Sequence, residues 1–317
     1  MQLVDVAHSL SRASFPDLDA LRAEYHWSDR NHRIFGRMFG LRSAALHPGV
    51  ALSELLEQSA ADLAARNPGL IGHVDQVYYC HAVNSTLPFD RDFLGGLVRR
   101  AFGCDPELMS VAHGSCASAI MVMRMLAGFA ADGPLNVVIL TGEKCFFDML
   151  QYADNQGLYG EATAAALLRV GGGGPGTGGG AEVVATATGV FDGLYAPMVD
   201  VPKEVTQAFD QAFLPRMTGL VRRLLDSAGL RPDEIDVIFP THLSPFTSDR
   251  VANSVGITRA EIWKANLARI GHCYCGDLFL NYQTWLSEAG DAGRRANILS
   301  FASGMTGSYA GIVLKRS

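Results

Sequence analysis

The stretch CASAIMVMRMLAG, residues 116–128, carries Ile120, Val122, Met123, Met125 and Leu126 at positions that run round most of a helix. A helix apolar on nearly every side has no solvent face, so the chain must build layers on both sides of it. The same stretch opens on a thiol. Cys116 follows Gly114 and Ser115, which leave room for a sharp turn, and it stands where free N–H groups and the helix dipole favour an anion. A small buried packing residue is the ordinary use of such a cysteine, so its partners decide between packing and chemistry.

The remaining sequence supplies the layers. With 317 residues, 48% of them hydrophobic and 18% charged, the chain has enough apolar surface for one large core or two fused ones. Residues 53–67 and 91–103 have helical spacing, residues 74–83 are strand-like, and PLNVVILTGE (134–143) and EATAAALLRV (161–170) read as strands covered on both faces. GGGGPGTGGG (171–180) offers no side chain to a core and reads as a mobile surface loop dividing the chain. Beyond it the pattern repeats. Residues 211–230 form an amphipathic helix ending at Gly229, IDVIFPTH (235–242) is a buried strand ending on a histidine, and residues 296–316 are two strands around a Gly-rich turn. The expected fold class is α/β, with residues 1–172 and 181–317 as two equivalent halves.

Several function classes drop out. A net charge of −6 without a Lys/Arg block gives no electrostatic footprint for nucleic acid. The amino terminus has no basic-then-apolar leader and no run of 18 apolar residues occurs, so a cytoplasmic protein without membrane contact is expected. Six scattered cysteines suggest no disulfide framework, and Cys273-x-Cys275 lacks a second pair at zinc spacing, so neither metal nor cofactor is expected.

Two histidines stand at loops that such a fold brings to its centre. His242 ends a strand, and His272 follows Gly271 in ARIGHCYCGDLFL before an apolar helix. With Cys116 they make a Cys-His-His set suited to acyl transfer. The order of VAHGSCASA, YGEATAAALLRV, PTHLSPF, IGHCYCGD and FASGMTGSYAGIVLKR resembles the thiolase superfamily, and within it the β-ketoacyl-ACP synthase III branch, over nearly the whole chain.

The resemblance implies a thiolase-like fold of α-β-α-β-α layers. It gives Cys116 the nucleophile's place, His242 that of the family histidine, and His272 the place usually held by asparagine. Gly304, in FASGMTG, matches the region whose backbone N–H joins that of Cys116 in an oxyanion hole. Arg37 and Arg42, in RIFGRMFGLR, match the substrate entrance, and Leu87 stands where relatives reach into the partner's acyl tunnel. The family's tryptophan near the entrance is Arg33 here, and HLSPF replaces the usual residues after the histidine. The implied partners are an acyl-CoA or acyl carrier protein thioester, then a malonyl-type thioester or another acceptor, and a second copy of the chain pairing through PLNVVILTG.

On this reading Cys116 is acylated and then condensed with a malonyl unit held by His242 and His272, in fatty acid, polyketide or other specialised-metabolite biosynthesis. Two other readings remain: transfer to an alcohol or amine with His242 as base, and a non-catalytic subunit of a heteromeric ketosynthase. Glu143 reads as a capping or interface carboxylate or a base, Asp277 as a helix cap or a support for His272, His113 as a packed or pocket-lining residue, and Ser115 and Ser118 as small residues flanking the turn.

Overall fold

The computed structural model describes residues 1–82, 93–129, 133–144, 152–153, 157–171, 180–191, 202–289, 295–304 and 307–317. Up to the glycine-rich stretch the elements are β1 (Gln2–His8), α1 (Leu18–Tyr25), α2 (Asp29–Arg33), α3 (Leu52–Arg66), β2 (Gln76–Cys80), α4 (Phe93–Phe102), β3 (Glu107–Val111), α5 (Ser118–Ala127), β4 (Leu135–Thr141), β5 (Tyr152–Ala153), β6 (Gly157–Leu158) and β7 (Ala164–Val170). After it come β8 (Ala181–Val190), α6 (Lys203–Ala228), β9 (Val237–Phe239), α7 (Pro245–Val255), β10 (Glu261–Ile262), α8 (Ala265–Ile270), α9 (Asp277–Ala289), β11 (Ala296–Ser303) and β12 (Ser308–Arg316). Leu87 and most of the GGGGPGTGGG segment lie outside the described residues.

Ten strands run β10-β9-β11-β12-β8-β1-β7-β4-β2-β3. From the β1–β8 junction outwards, the order on each side is first, fifth, fourth, second, third strand of that side. The pairings on each side are antiparallel, antiparallel, parallel, parallel in that sequence. The two sides of the sheet therefore follow one plan.

Strand alternation sorts side chains into layers. In β4, Val137 and Ile139 join a cluster with Ile120, Met123 and Leu126 of α5 and Phe279, Tyr282 and Trp285 of α9. Val138 and Leu140 point the other way, onto α3 and α4. In β11, Ile298 faces the central helices, whereas Leu299 and Phe301 pack on α6 and α7. The result is five layers, α-β-α-β-α, with α5 in the central layer; contrary to the reading of a helix buried all round, its Arg124 and Met125 are exposed, because the second half of the helix runs out to the surface. The amphipathic helix α6 ends at Gly229 as its sequence indicates.

One sequence expectation is corrected. The run PLNVVILTG does not lie at an edge: β4 is hydrogen-bonded to β2 on one side and β7 on the other. Continuous aliphatic composition marks a strand covered on both faces, which an interior strand satisfies without a second chain. The edge beyond β2 is β3.

The two sides are joined near the centre by backbone hydrogen bonds. Gly160 N–H donates to His272 O at 2.9 Å and His272 N–H to Leu158 O at 2.7 Å. A Cβ at Gly160 would lie 2.1 Å from Ile270 O, so only glycine permits this approach. Gly160→Ala is expected to cost about 1–3 kcal/mol in urea unfolding, the usual range for an overpacked core position; an unchanged midpoint would show that the junction relaxes freely.

Candidate active site

Two short 3-10 turns, Ser115–Ala117 and Tyr274–Gly276, lead into α5 and α9. The first residue of each turn is left-handed without being glycine, Ser115 at φ 49° and Tyr274 at φ 52°. Such a conformation costs about 1–3 kcal/mol and persists where the surroundings over-determine it. The surroundings here are each other: the Cys275 thiol donates to Ser115 O at 3.0 Å, so each elbow braces the other.

Cys116, second in the first elbow, is buried at 6% exposure. Its Sγ lies 3.1 Å from His272 Nε2. On the other side of that ring, Nδ1 lies 2.6 Å from Asp277 Oδ2. Asp277 opens α9, and its carboxylate also accepts the backbone N–H groups of His242 and Cys273, each at 2.7 Å. A carboxylate holding Nδ1–H fixes the tautomer that turns Nε2 to the sulfur, the arrangement of an acyl-transfer triad.

Electrostatics follow from the burial. Desolvation disfavours a charged His272, but the Asp277 carboxylate and the Cys116 sulfur outweigh it and raise the ring to about 10. For Asp277, desolvation favours the neutral acid, and His242 and His272 overcome it to hold the carboxyl below its ordinary value.

His242 is placed differently from the sequence expectation. Its Nδ1 lies 2.9 Å from Gly271 O and 3.2 Å from Asp277 Oδ1, and its Nε2 lies 2.8 Å from Asn281 Oδ1. Contacts thus run Cys116, His272, Asp277, His242, and the imidazole meeting the sulfur is His272. The reason is α9, which presents Asp277, Asn281 and Thr284 at helical spacing on one face. Asn281 and Thr284 were missed in the sequence, although three polar residues spaced i, i+4, i+7 on one face of the helix were the available signal. Gly304 likewise has its N–H directed to Ser308 O at 2.7 Å, which commits the donor expected beside Cys116.

The other residues sort readily. Arg42 is exposed and its backbone N–H donates to Ala268 O at 2.7 Å, which sets its segment beside α8, the helix before His272. Arg37 is exposed on a π-helical turn, Ile34–Met38. Glu143 is buried and accepts the backbone N–H of Ala82. His113 is exposed rather than packed. Tyr159 and Tyr274 stack at 5.0 Å between centroids, and both rings lie within 5.6 Å of the His272 ring. Neither tyrosine was singled out in the sequence. Among the described residues no cluster could hold a metal ion, and no helix is long and apolar enough to cross a membrane.

No family model matches the sequence, and no curated protein is similar to it. Solved structures are similar throughout. ChlB3, named as an acyltransferase, shares 14% identity over 99% of this chain and 97% of its own, with a TM-score of 0.80. AbyA1, a tetronic acid condensing enzyme, shares 19% over 99% and 100%, with a TM-score of 0.71. The 3-oxoacyl-(acyl carrier protein) synthase III of Pseudomonas aeruginosa PAO1 shares 17% over 99% and 98%, with a TM-score of 0.73. The chain has the thiolase-like fold of these structures.

The raised His272 value carries a sign. A ring that titrates at about 10 when folded and 6.5 otherwise adds stability that is whole below pH 6.5 and lost as pH rises through about 10. The stability gap between the parent and His272→Asn, measured by urea unfolding, is therefore expected to shrink between those pH values; a gap that widens would contradict the charge arrangement.

Proposed function

We propose that this chain is an acyltransferase that carries an acyl group on Cys116 and passes it to a hydroxyl or amine. The observation that carries the proposal is the file of contacts Cys116 Sγ, His272 Nε2, His272 Nδ1, Asp277 Oδ2 at 3.1 and 2.6 Å. His242, which a malonyl carbonyl would need beside His272 for condensation, has both ring nitrogens spent on Gly271 O and Asn281 Oδ1. The fold shared with ChlB3, AbyA1 and the synthase III supports thioester chemistry in general, and the acyltransferase named among them supports transfer in particular.

The steps balance as follows. The Cys116 thiolate attacks the thioester carbonyl, and the tetrahedral oxyanion forms beside the elbow that carries Cys116. Collapse expels the donor thiolate, which takes the proton of His272. Neutral His272 then removes the acceptor's proton as the acceptor attacks the acyl-enzyme. Collapse of that intermediate releases ester or amide and restores the thiolate beside a protonated ring. Asp277 keeps its charge throughout and holds the ring in place. Arg37 and Arg42 would meet the phosphates of an acyl-CoA or a carrier's prosthetic group. The protein would work in the cytoplasm, in the making of a specialised metabolite.

Intact mass after incubation with acyl-CoA and acyl-carrier thioesters tests the first half. A mass gain is expected, and Cys116→Ala should abolish it; no gain with any donor would favour a non-catalytic subunit. Enzyme acylated beforehand is then given malonyl thioester and an alcohol or amine in parallel. Ester or amide without carbon dioxide is expected, and Asp277→Asn should slow transfer by roughly 10²–10⁴-fold. Release of carbon dioxide with a lengthened acyl product would establish condensation instead.

We also propose a homodimer formed through β3. Residues Glu107–Ser110 are exposed although they lie in a sheet, and the adjacent Leu108 and Met109 point to opposite faces at 36% and 38% exposure. An apolar edge bare on both faces invites pairing with its own copy across a twofold axis. Light scattering at micromolar concentration should give twice the chain mass, and Met109→Lys should shift it towards the monomer; a monomeric parent would refute the interface.

A further inference from the structure

His242 is buried at 0% exposure, and its hydrogen bonds fix more than its position. A backbone carbonyl only accepts, so the 2.9 Å contact with Gly271 O requires a proton on Nδ1. The partner of Nε2 is the side-chain amide of Asn281, whose orientation is set by its neighbours. Asn281 Nδ2 donates to Pro240 O at 3.0 Å, which leaves Oδ1 facing the ring at 2.8 Å. That oxygen also accepts from Asn266 Nδ2 at 3.1 Å. Asn266 is held the same way round, because it donates at 2.6 Å to Thr284 Oγ1, whose own proton goes to Leu280 O at 2.7 Å. Every amide in the chain is anchored on an acceptor, so Nε2 must donate as well.

We propose that His242 is a permanent imidazolium and a positioning residue: it exchanges no proton during the reaction, and its fixed positive charge balances Asp277, leaving the Cys116–His272 pair free to share one proton. This deepens the acyltransfer reading and rests on Cys116 and His272 acting together. It also removes His242 as a general base, since a ring with both nitrogens protonated and bonded has no lone pair to offer.

The charge count explains why two histidines surround one carboxylate. With His242 neutral, Asp277 would present a full uncompensated negative charge to the pair in a dry interior. Such a charge opposes formation of thiolate and holds the proton on His272 too firmly to be given to a leaving thiol. With His242 charged, Asp277 still orients His272 Nδ1 at 2.6 Å, but the two charges sum to zero. Among the described residues, the other titratable groups in contact here are neutral or spent. The Cys273 thiol donates to Gly271 O and the Cys275 thiol to Ser115 O. The Tyr159 and Tyr274 rings lie tilted against the His272 ring at 5.4 and 5.6 Å between centroids. Glu143 accepts the backbone N–H of Ala82, and burial keeps the Cys80 and Cys275 thiols protonated.

Two measurements test this, and neither needs a substrate. Nitrogen-15 NMR of ring-labelled histidine in the unmodified protein should show a proton on each His242 ring nitrogen, as the contacts with Gly271 O and Asn281 Oδ1 require; a bare ring nitrogen at neutral pH overturns the proposal. The second is the pH profile of Cys116 alkylation by iodoacetamide. In His242→Gln both limbs should move to higher pH by about one unit. In the double variant His242→Gln, Asp277→Asn the profile should return towards the parent. A rate that falls in His242→Gln without any shift of the limbs assigns His242 a packing role and overturns the charge argument. Should the variants not fold, the NMR result on the parent still decides. Failure of acyl transfer with both results positive would refute the reading of the reaction and leave the imidazolium standing.

Discussion

One buried carboxylate ties the centre of this molecule together. Asp277 gathers His242 N–H, His272 Nδ1 and Cys273 N–H at 2.6–2.7 Å, with His242 Nδ1 a further contact at 3.2 Å. An anion taken from water is tolerable only when its lone pairs are filled by donors and its charge is met. Both conditions hold, and they fix three separate segments at once: the loop after β9, the loop after α8 and the head of α9. The orientation of the ring against Cys116 is a by-product of satisfying that single group.

The architecture was legible because it is driven by burial. A helix apolar on most sides, aliphatic runs for strands and an amphipathic helix stopped by Gly229 are consequences of which surfaces must leave water, and they show in any window of the chain. The position of β4 shows where this ends. A strand covered by helices on both faces reads the same whether its sides pair with its own chain or with another, so PLNVVILTG looked like an interface while β3, shorter and interrupted by Glu107 and Ser110, holds the edge.

At the site the residue types were legible and their roles less so. Cys116, His242, His272 and Asp277 all converge. Which imidazole touches the sulfur depended on Asn281, four residues after Asp277, and on the carbonyls of Gly271 and Pro240, none of which carries a pattern by itself. Gly304 is similar, its N–H turned to Ser308 O by the closing of the β11–β12 hairpin. Hydrogen-bond partners from four to 156 residues apart are set by the packed fold, and side-chain spacing cannot rank them in advance.

The paired elbows lead to a last point. Cys116 and Cys275 hold the same place in corresponding turns, yet one sulfur meets an imidazole and the other is locked onto the carbonyl preceding its twin. A repeated frame has thus been divided into a working copy and a bracket for it. Neither copy is free to drift alone, because any change that lets the bracket relax also releases the strained peptide on which the working sulfur rides. Symmetry in the scaffold survives here through the very asymmetry of what its two turns do.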